Sequence, residues 1–423
     1  MKRFMKWLAG IVLGLALLLA AVAVTLQYWV ASDDFRARVS QQMSGALGVP
    51  VQLGRVSVDL WPLPAVALEQ VQLMSKPALT LEHIEARPVW AGLLRGRLVI
   101  ATLVVRDAVV PEAAVAAIAA ALQKPQRAPD NSAGESRGAI DFMPERTVLE
   151  NVTWVHAKGG STTLDAQAQL DPDGMPATAQ LQVLEGRLEG AKATLQRQPD
   201  HWALRAAIGG GTVIGKLQLR RGAKGASLLQ GQFDTANVEV SALTAPRRTL
   251  TGRLEAHTTW RAEFQRAGSL VDALQSQTRF TVRNAVVHGV DLAQAVKSVG
   301  LNRGGETRLD TLAGNVSTQG RAVQLTNLAA TSGVLSANGN VAIAPNRSLS
   351  GRVTVDLASG AAGGAIGVPL AVGGTLDEPS VTLTRGALVG AAVGTLLAPG
   401  VGTGAGAKLG DRLGEGLKGL FGK

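Results

Sequence analysis

The chain contains no cysteine. This absence excludes a disulfide framework, a thiolate metal site and a thiol nucleophile. Aromatic residues make up only 4% of the chain, and they are not interleaved with the basic residues as they are in proteins that stack single-stranded bases. We therefore expect no nucleic-acid partner, although the net charge is +10. A basic surface suits anionic lipid headgroups equally well.

Catalytic and cofactor motifs are scarce as well. The five histidines lack metal-ligand spacing, and no H-E-x-x-H pattern occurs. Gly210 to Lys216 has the spacing of a P-loop, but Leu217 stands where a Ser or Thr must hold Mg²⁺. We therefore expect no enzymatic activity, no metal and no cofactor.

The most informative positive feature is an apolar run near the start. Between Lys6 and Asp33 stand 26 consecutive uncharged residues, mostly Leu, Ala and Val. A helix needs about 20 apolar residues to cross a bilayer, so residues 7–30 predict a transmembrane anchor. The three basic residues before it predict a cytoplasmic N-terminus and a single pass.

A cleaved signal peptide is the alternative interpretation. Ala21-Val22-Ala23 resembles a signal-peptidase site. The apolar run continues past this site, however, and is longer than the roughly 7–15 residues of a signal h-region. The length favours an uncleaved anchor.

A short amphipathic helix is predicted directly after the anchor. Ser32 is suited to cap it, and Phe35, Val39 and Met43 repeat at four-residue spacing. Gly48 is expected to end it. Two further helices are predicted at 111–123 and 291–299.

Alternating apolar residues predict strands from residue 51 onward. The sequence predicts a mostly β fold: an N-terminal transmembrane helix followed by a long, curved antiparallel β-sheet, forming a half-barrel or groove, with a few short helices. Asn338-Gly339-Asn340 is expected to form a turn. The residues predicted to line the apolar groove are Val56, Val58, Leu60, Val71 and Leu73.

The domain organisation follows changes in composition. We expect a cytoplasmic N-terminus and anchor at 1–31, a first module at 32–123, a linker at 124–139, a central β region at 140–274, a second β region at 275–385 and a tail at 386–423. The tail places a row of apolar residues on one helical face, which predicts contact with a membrane surface. These residues are Leu409, Leu413, Leu417, Leu420 and Phe421.

Two segments resemble the AsmA family. Val58-Asp59-Leu60-Trp61-Pro62-Leu63-Pro64, with the following Leu68 to Leu73, is similar to its N-terminal module, and Leu93 to Ile100 supports the match. Phe280 to Leu292 and Gly374-Thr375-Leu376-Asp377-Glu378-Pro379 resemble its C-terminal signatures. The resemblance implies a chorein-like N-terminal module, a bacterial inner-membrane anchor, a periplasmic body and a role in outer-membrane biogenesis.

The expected function combines this resemblance with the alternating strands. An apolar β-groove would carry phospholipids, and the partners would be the inner-membrane bilayer, phospholipid cargo and outer-membrane assembly proteins. The alternative is a membrane-tethered periplasmic scaffold or regulator of outer-membrane protein assembly that carries no lipid. From alternation alone, the core of an ordinary β-sandwich would fit too.

Overall fold

The computed structural model describes most of the chain between residues 32 and 387. The described ranges are 32–59, 65–89, 100–122, 144–157, 159–222, 226–245, 248–265, 269–297, 304–333, 335–357, 366–384 and 386–387. No helix within these ranges combines the length and apolar character needed to cross a membrane. The predicted anchor at 7–30, the linker at 124–139 and the membrane-contacting tail residues lie outside the described residues.

The chain folds as two compact units, one ending at Gln196 and the other beginning at Arg197. This boundary lies inside the central β region at 140–274, which the sequence predicts to be a single region. Both units consist mostly of strands with a few short helices, as predicted. The N-terminal unit contains α1 (Asp33–Leu47), β1 (Val51–Gln52), β2 (Arg55–Asp59), β3 (Ala65–Leu73), β4 (Leu79–Pro88), β5 (Ile100–Pro111), α2 (Glu112–Leu122), β6 (Arg146–Val155), β7 (Ser161–Leu170), β8 (Pro176–Gly186) and β9 (Lys192–Arg197), which ends at the boundary.

The C-terminal unit is a meander in which each strand pairs antiparallel with the next. Its elements are β10 (Trp202–Ile208), β11 (Gly211–Arg221), β12 (Ser227–Glu239), α3 (Val240–Thr244), β13 (Leu250–Phe264), α4 (Leu270–Ala273), β14 (Leu274–His288), α5 (Leu292–Lys297), β15 (Glu306–Gln319), β16 (Ala322–Thr331), β17 (Leu335–Ile343), β18 (Leu349–Leu357), β19 (Ile366–Gly374) and β20 (Pro379–Leu383).

The ends of the predicted helices follow from capping residues. The Ser32 side chain accepts a hydrogen bond from the Phe35 amide, and Gly48 adopts the left-handed conformation that ends α1. Asp291 caps α5 by accepting from the Gln294 amide at 2.9 Å. These predictions are confirmed. The helix predicted from residue 111 begins one residue later, because Pro111 still belongs to β5.

One pair of strands departs from the predicted antiparallel arrangement. β5 and β6 pair in parallel, with Thr102 opposite Arg146 and Pro111 opposite Val155. A parallel pair needs a crossover connection of a dozen or more residues, and residues 112–145 supply it, beginning with α2. The Ala-rich segment was therefore recognised as a helix, but its role as a crossover was not.

Several strand bulges occur at asparagines in the left-handed conformation. In the N-terminal unit Asn151, with a φ of 55°, stands where the pairing of β6 with β7 shifts, and Asp107 on the neighbouring β5 has a φ of 51°. The Asn151 side-chain amide donates to Asp107 Oδ1 at 2.6 Å, and its backbone amide donates to Asp165 Oδ1 at 2.8 Å. Bulges bend a strand and increase its twist. Asn tolerates this conformation better than most residues.

The turn predicted at Asn338-Gly339-Asn340 is wrong, because these residues lie inside β17. Gly339 is opposite Val353 of β18, where an added Cβ would stand 2.3 Å from the Arg352 carbonyl oxygen. The Asn340 side chain accepts the backbone amide of Asn327 at 2.9 Å. Asn340 therefore stabilises a bulge in β16, and Gly339 allows the close approach of β18. Neither residue reverses the chain.

The C-terminal unit has its packed core at the β14–β20 end. There α5 contacts β15, β18 and β20. In a flat sheet, β15 and β20 would be separated by five strand spacings of about 4.8 Å, or roughly 24 Å. A six-residue helix is only about 9 Å long. The sheet must therefore curl around α5, whose Ala295 is 2% exposed.

The left-handed conformation at Asn151 generates a stability prediction. Both Asn151→Val and Asn151→Gly remove the bond to Asp107, but only Val places a β-branched side chain where φ is 55°. We therefore expect Asn151→Val to lower the free energy of unfolding by about 1–2 kcal/mol relative to Asn151→Gly. Urea denaturation, combined with hydrogen exchange of β6 peptides, measures the difference. Equal stability of the two variants would show that the bulge does not constrain this position.

Candidate functional site

Every second residue of the C-terminal unit faces the same side of its sheet. In β13, Leu254, Ala256 and Trp260 alternate with charged residues such as Glu255 and Arg261. Direct pairing carries this pattern from strand to strand, because opposite residues in an antiparallel pair share a face. We call the resulting surface the apolar face. Its larger members on β10–β13 are Trp202, Leu204, Ile208, Val213, Leu217, Leu219, Leu229, Phe233, Leu254, Trp260 and Phe264.

The apolar face is covered at one end and exposed at the other. Around α5, residues such as Val355 and Leu370 are completely buried. On β10–β13 the larger members are only half-buried, and each keeps part of its surface in water. The buried side chains of these strands include Ala206 and Ala262 and, next to α3, Val238. This part of the sheet therefore presents an open apolar surface instead of a closed core.

Aromatic rings on the apolar face lie over glycines of the neighbouring strand. An added Cβ on Gly215 would stand 2.1 Å from Phe233 Cδ1, and one on Gly231 would stand 2.9 Å from Trp260 Nε1. The Phe233 and Trp260 rings stack with their centroids 5.9 Å apart. Glycine is required here because the ring occupies the space of a side chain. The rings therefore lie flat and keep this part of the surface smooth.

Polar atoms on the apolar face are few. The hydroxyls of Thr258 and Thr278 hydrogen-bond to each other at 3.0 Å, so neither needs an outside partner. Among the described side chains, Trp260 Nε1 is a buried donor that has no hydrogen-bond partner. Such a donor raises the free energy of the site by roughly 1–3 kcal/mol. The surface thus offers hydrocarbon contact and little hydrogen bonding.

The opposite faces of both units are polar and charged. In the N-terminal unit, Arg106 Nε contacts Glu150 Oε2 at 2.5 Å and Arg106 Nη1 lies 3.8 Å from Glu85 Oε2. The hydrogen bond to Glu150 raises the pKa of Arg106 above its ordinary value. Near β10, the hydrogen bond from His201 lowers the pKa of Asp200. In each sheet, one face therefore favours contact with apolar groups and the other favours contact with water.

The predicted groove residues are only partly brought together. Val71 and Leu73 lie in a packed cluster with Val51 and Leu79, covered by Met43 and Leu47 of α1 and by Ala114 and Ile118 of α2. Val56 is 3% exposed and Val58 is half-buried, and Val56 lies opposite Leu68, which packs on the same cluster. Leu60 lies outside the described residues. Val71 and Leu73 therefore belong to a core closed by two helices rather than to an open groove.

The remaining strands of the N-terminal unit show a smaller apolar surface. Leu164, Leu181 and Leu195 share a face on β7, β8 and β9 through direct pairing and alternation. Leu181 is 38% exposed. Hydrocarbon contact is thus also available in this unit, away from the helices.

The open part of the C-terminal apolar face was not singled out from the sequence, which identified this region only as sheet. The signal was present in the strict alternation of β13 and in Leu217 and Leu219 of β11. What alternation cannot show is whether another layer covers the face. Comparisons with family models, curated proteins and solved structures found no match to this chain.

The contact of Phe233 with Gly215 can be tested by substitution. Gly215→Ala would place a Cβ against the ring and 2.5 Å from the Gln232 carbonyl oxygen, so we expect it to lower the free energy of unfolding by about 1–3 kcal/mol. Gly333→Ala is the matched control, since no atom lies within 4 Å of its added Cβ. Urea denaturation with hydrogen exchange of β11 and β12 compares them. Equal effects would contradict the described packing.

Proposed function

We propose that this chain is a membrane-anchored periplasmic protein of AsmA type that supports outer-membrane biogenesis by holding phospholipid acyl chains on its apolar face. The observation that carries the proposal is the partial exposure of the large apolar residues on β10–β13. A soluble sheet normally covers such a face with a second layer. A face that keeps contact with water suits an apolar ligand.

The amino-acid sequence supports the membrane part of the proposal. The run of 26 uncharged residues before Asp33 is long enough for a bilayer anchor, and α1 follows it directly. The AsmA-like segments at 58–73 and 280–292 give the same cellular setting by resemblance. A tethered apolar face would remain close to the bilayer from which lipid is taken.

The proposed mechanism is passive. Removing each methylene of an acyl chain from water contributes about 0.8 kcal/mol of binding free energy. An open face provides only part of this free energy, because it covers one side of the acyl chain. The headgroup stays in water at the edge of the sheet. Few hydrogen-bonding groups compete along the face, so an acyl chain can slide from one row of side chains to the next. No catalytic group is needed for such movement.

Photo-crosslinking tests the proposal in the intact membrane. A photoreactive amino acid at Leu229 of the full-length chain is expected to form phospholipid adducts on irradiation, because Leu229 lies on the apolar face. Leu228 is the matched control, since it is the preceding residue of β12 and faces the opposite side, directly paired with Arg220 and Glu263. Mass spectrometry of the irradiated protein identifies the adducts.

The two positions separate the proposal from the scaffold alternative. Lipid adducts at Leu229 with few at Leu228 support acyl-chain binding. Protein adducts without lipid at Leu229 would instead indicate a scaffold. An equal lipid yield at both positions would mean that the label reports membrane proximity alone and would remove support for the apolar face as the site.

A further inference from the structure

The polar face of the C-terminal unit contains a hollow of about 840 Å³. Most of its lining residues belong to two neighbouring rows that cross β11 to β16. Residues that lie between these rows line it as well, namely Gly231, Trp260, Ser276 and Thr318. In each row every residue is the direct partner of the next. The first row is Lys216, Gln232, Thr259, Gln277, Ser317 and Gln324. The second row contains Gln218, Gln230, Arg261, Gln275 and Gln319.

These rows form a hydrogen-bonding surface that consists mostly of uncharged amide side chains. Seven of the residues around the hollow are glutamines, and each side-chain amide carries donors as well as an acceptor. Gln230 Nε2 donates to Gln218 Oε1 at 2.9 Å, and Arg261 Nε donates to Gln275 Oε1 at 3.0 Å. The amides are therefore held in place along the strands while their remaining hydrogen-bonding capacity faces the hollow.

The charge of the two rows is positive. Lys216 and Arg261 are the only ionisable residues in them, and they stand on β11 and β13 on either side of β12. Lys216 pairs directly with Gln232, and Arg261 pairs directly with Gln230. An anion placed over these two glutamines is therefore flanked by both cations.

The adjoining rows leave this charge uncompensated. On one side lie Asp234, His257 and Arg279, with Asp234 bound to His257 at 2.6 Å. On the other side lie Arg220 and Glu263. Each adjoining row thus brings one carboxylate and one arginine, so these rows do not cancel the charge of Lys216 and Arg261. Just before β10, the carboxylate of Asp200 also attracts Lys216.

We propose that this hollow binds a small hydroxyl-rich anion, such as a phosphorylated sugar or the inositol phosphate headgroup of a lipid. Guanidinium and ammonium groups are the usual partners of phosphate. The glutamine, serine and threonine side chains match a ligand whose hydroxyls both donate and accept. The site lies on the face opposite the apolar face and does not depend on acyl-chain binding.

The composition argues against other ligand classes. The two rows contain no carboxylate, whereas hard metal ions prefer oxygen ligands such as carboxylates. The single aromatic residue that lines the hollow, Trp260, carries its ring on the apolar face, stacked on Phe233, whereas single-stranded nucleic acids need several stacking platforms along the site. A hydroxyl-rich anion uses both the amides and the two cations.

Isothermal titration of the full-length protein in detergent tests the site. The probes are glucose 6-phosphate, glycerophosphoinositol, glucose and inorganic phosphate. We expect one of the first two to bind more tightly than glucose and phosphate, because only they combine the anion with hydroxyls. Tighter binding of glycerophosphoinositol identifies a lipid headgroup as the source, and tighter binding of glucose 6-phosphate identifies a free sugar phosphate.

Arg261→Gln is expected to weaken binding about tenfold, through loss of a charge-assisted hydrogen bond. Arg220→Gln is the matched control, since it removes the same charge from the same face outside the two rows, and it should leave binding nearly unchanged. Lys216→Gln replaces Arg261→Gln if that variant does not fold. The proposal is overturned if neither sugar phosphate binds, if inorganic phosphate binds as tightly as they do, or if the control variant weakens binding equally.

Discussion

The register of the strands is the constraint on which the rest of the structure depends. Because side chains alternate along a strand, a slip of one residue would move every apolar side chain to the polar face. Direct pairing keeps Leu217, Gly231 and Trp260 on one side while Lys216 and Gln232 stay on the other. Left-handed residues such as Asn327 mark the points at which the pairing shifts by one residue.

Helices decide which parts of the apolar surfaces are closed. In the N-terminal unit α1 and α2 cover Val71 and Leu73. In the C-terminal unit α5 covers the region where the sheet curls. On β10–β13 the apolar residues keep part of their surface in water, so their hydrophobic stabilisation is only partly realised. Ligand burial would realise more of it, which is why we propose an acyl chain as the occupant.

The sequence predicts those features whose signals lie within a few neighbouring residues. The cap at Ser32 and the stop at Gly48 act within one turn of chain, so α1 could be predicted closely. The role of Gly339 depends on Val353 in another strand, so its turn-like sequence was misleading. The parallel pairing of β5 with β6 joins distant segments and leaves no local mark.

The candidate site shows the same limit. Alternation correctly indicated which residues of β3 are apolar on one side, but the cover supplied by Met43 and Ala114 comes from helices elsewhere in the chain. Val71 was therefore assigned to a groove although it is 1% exposed. Conversely, the open surface around Trp260 was overlooked. Exposure depends on whether another layer covers the face, and alternation carries no information about such a layer.

The most direct test is quenching of Trp260 fluorescence by phospholipids brominated in their acyl chains. A full-length variant that retains Trp260 and carries Phe at the other tryptophans removes the signal of those near the proposed anchor. The account predicts strong quenching at Trp260 and little at a tryptophan placed instead at Leu228 on the polar face. Unchanged Trp260 fluorescence with brominated lipid would contradict acyl-chain binding on the apolar face.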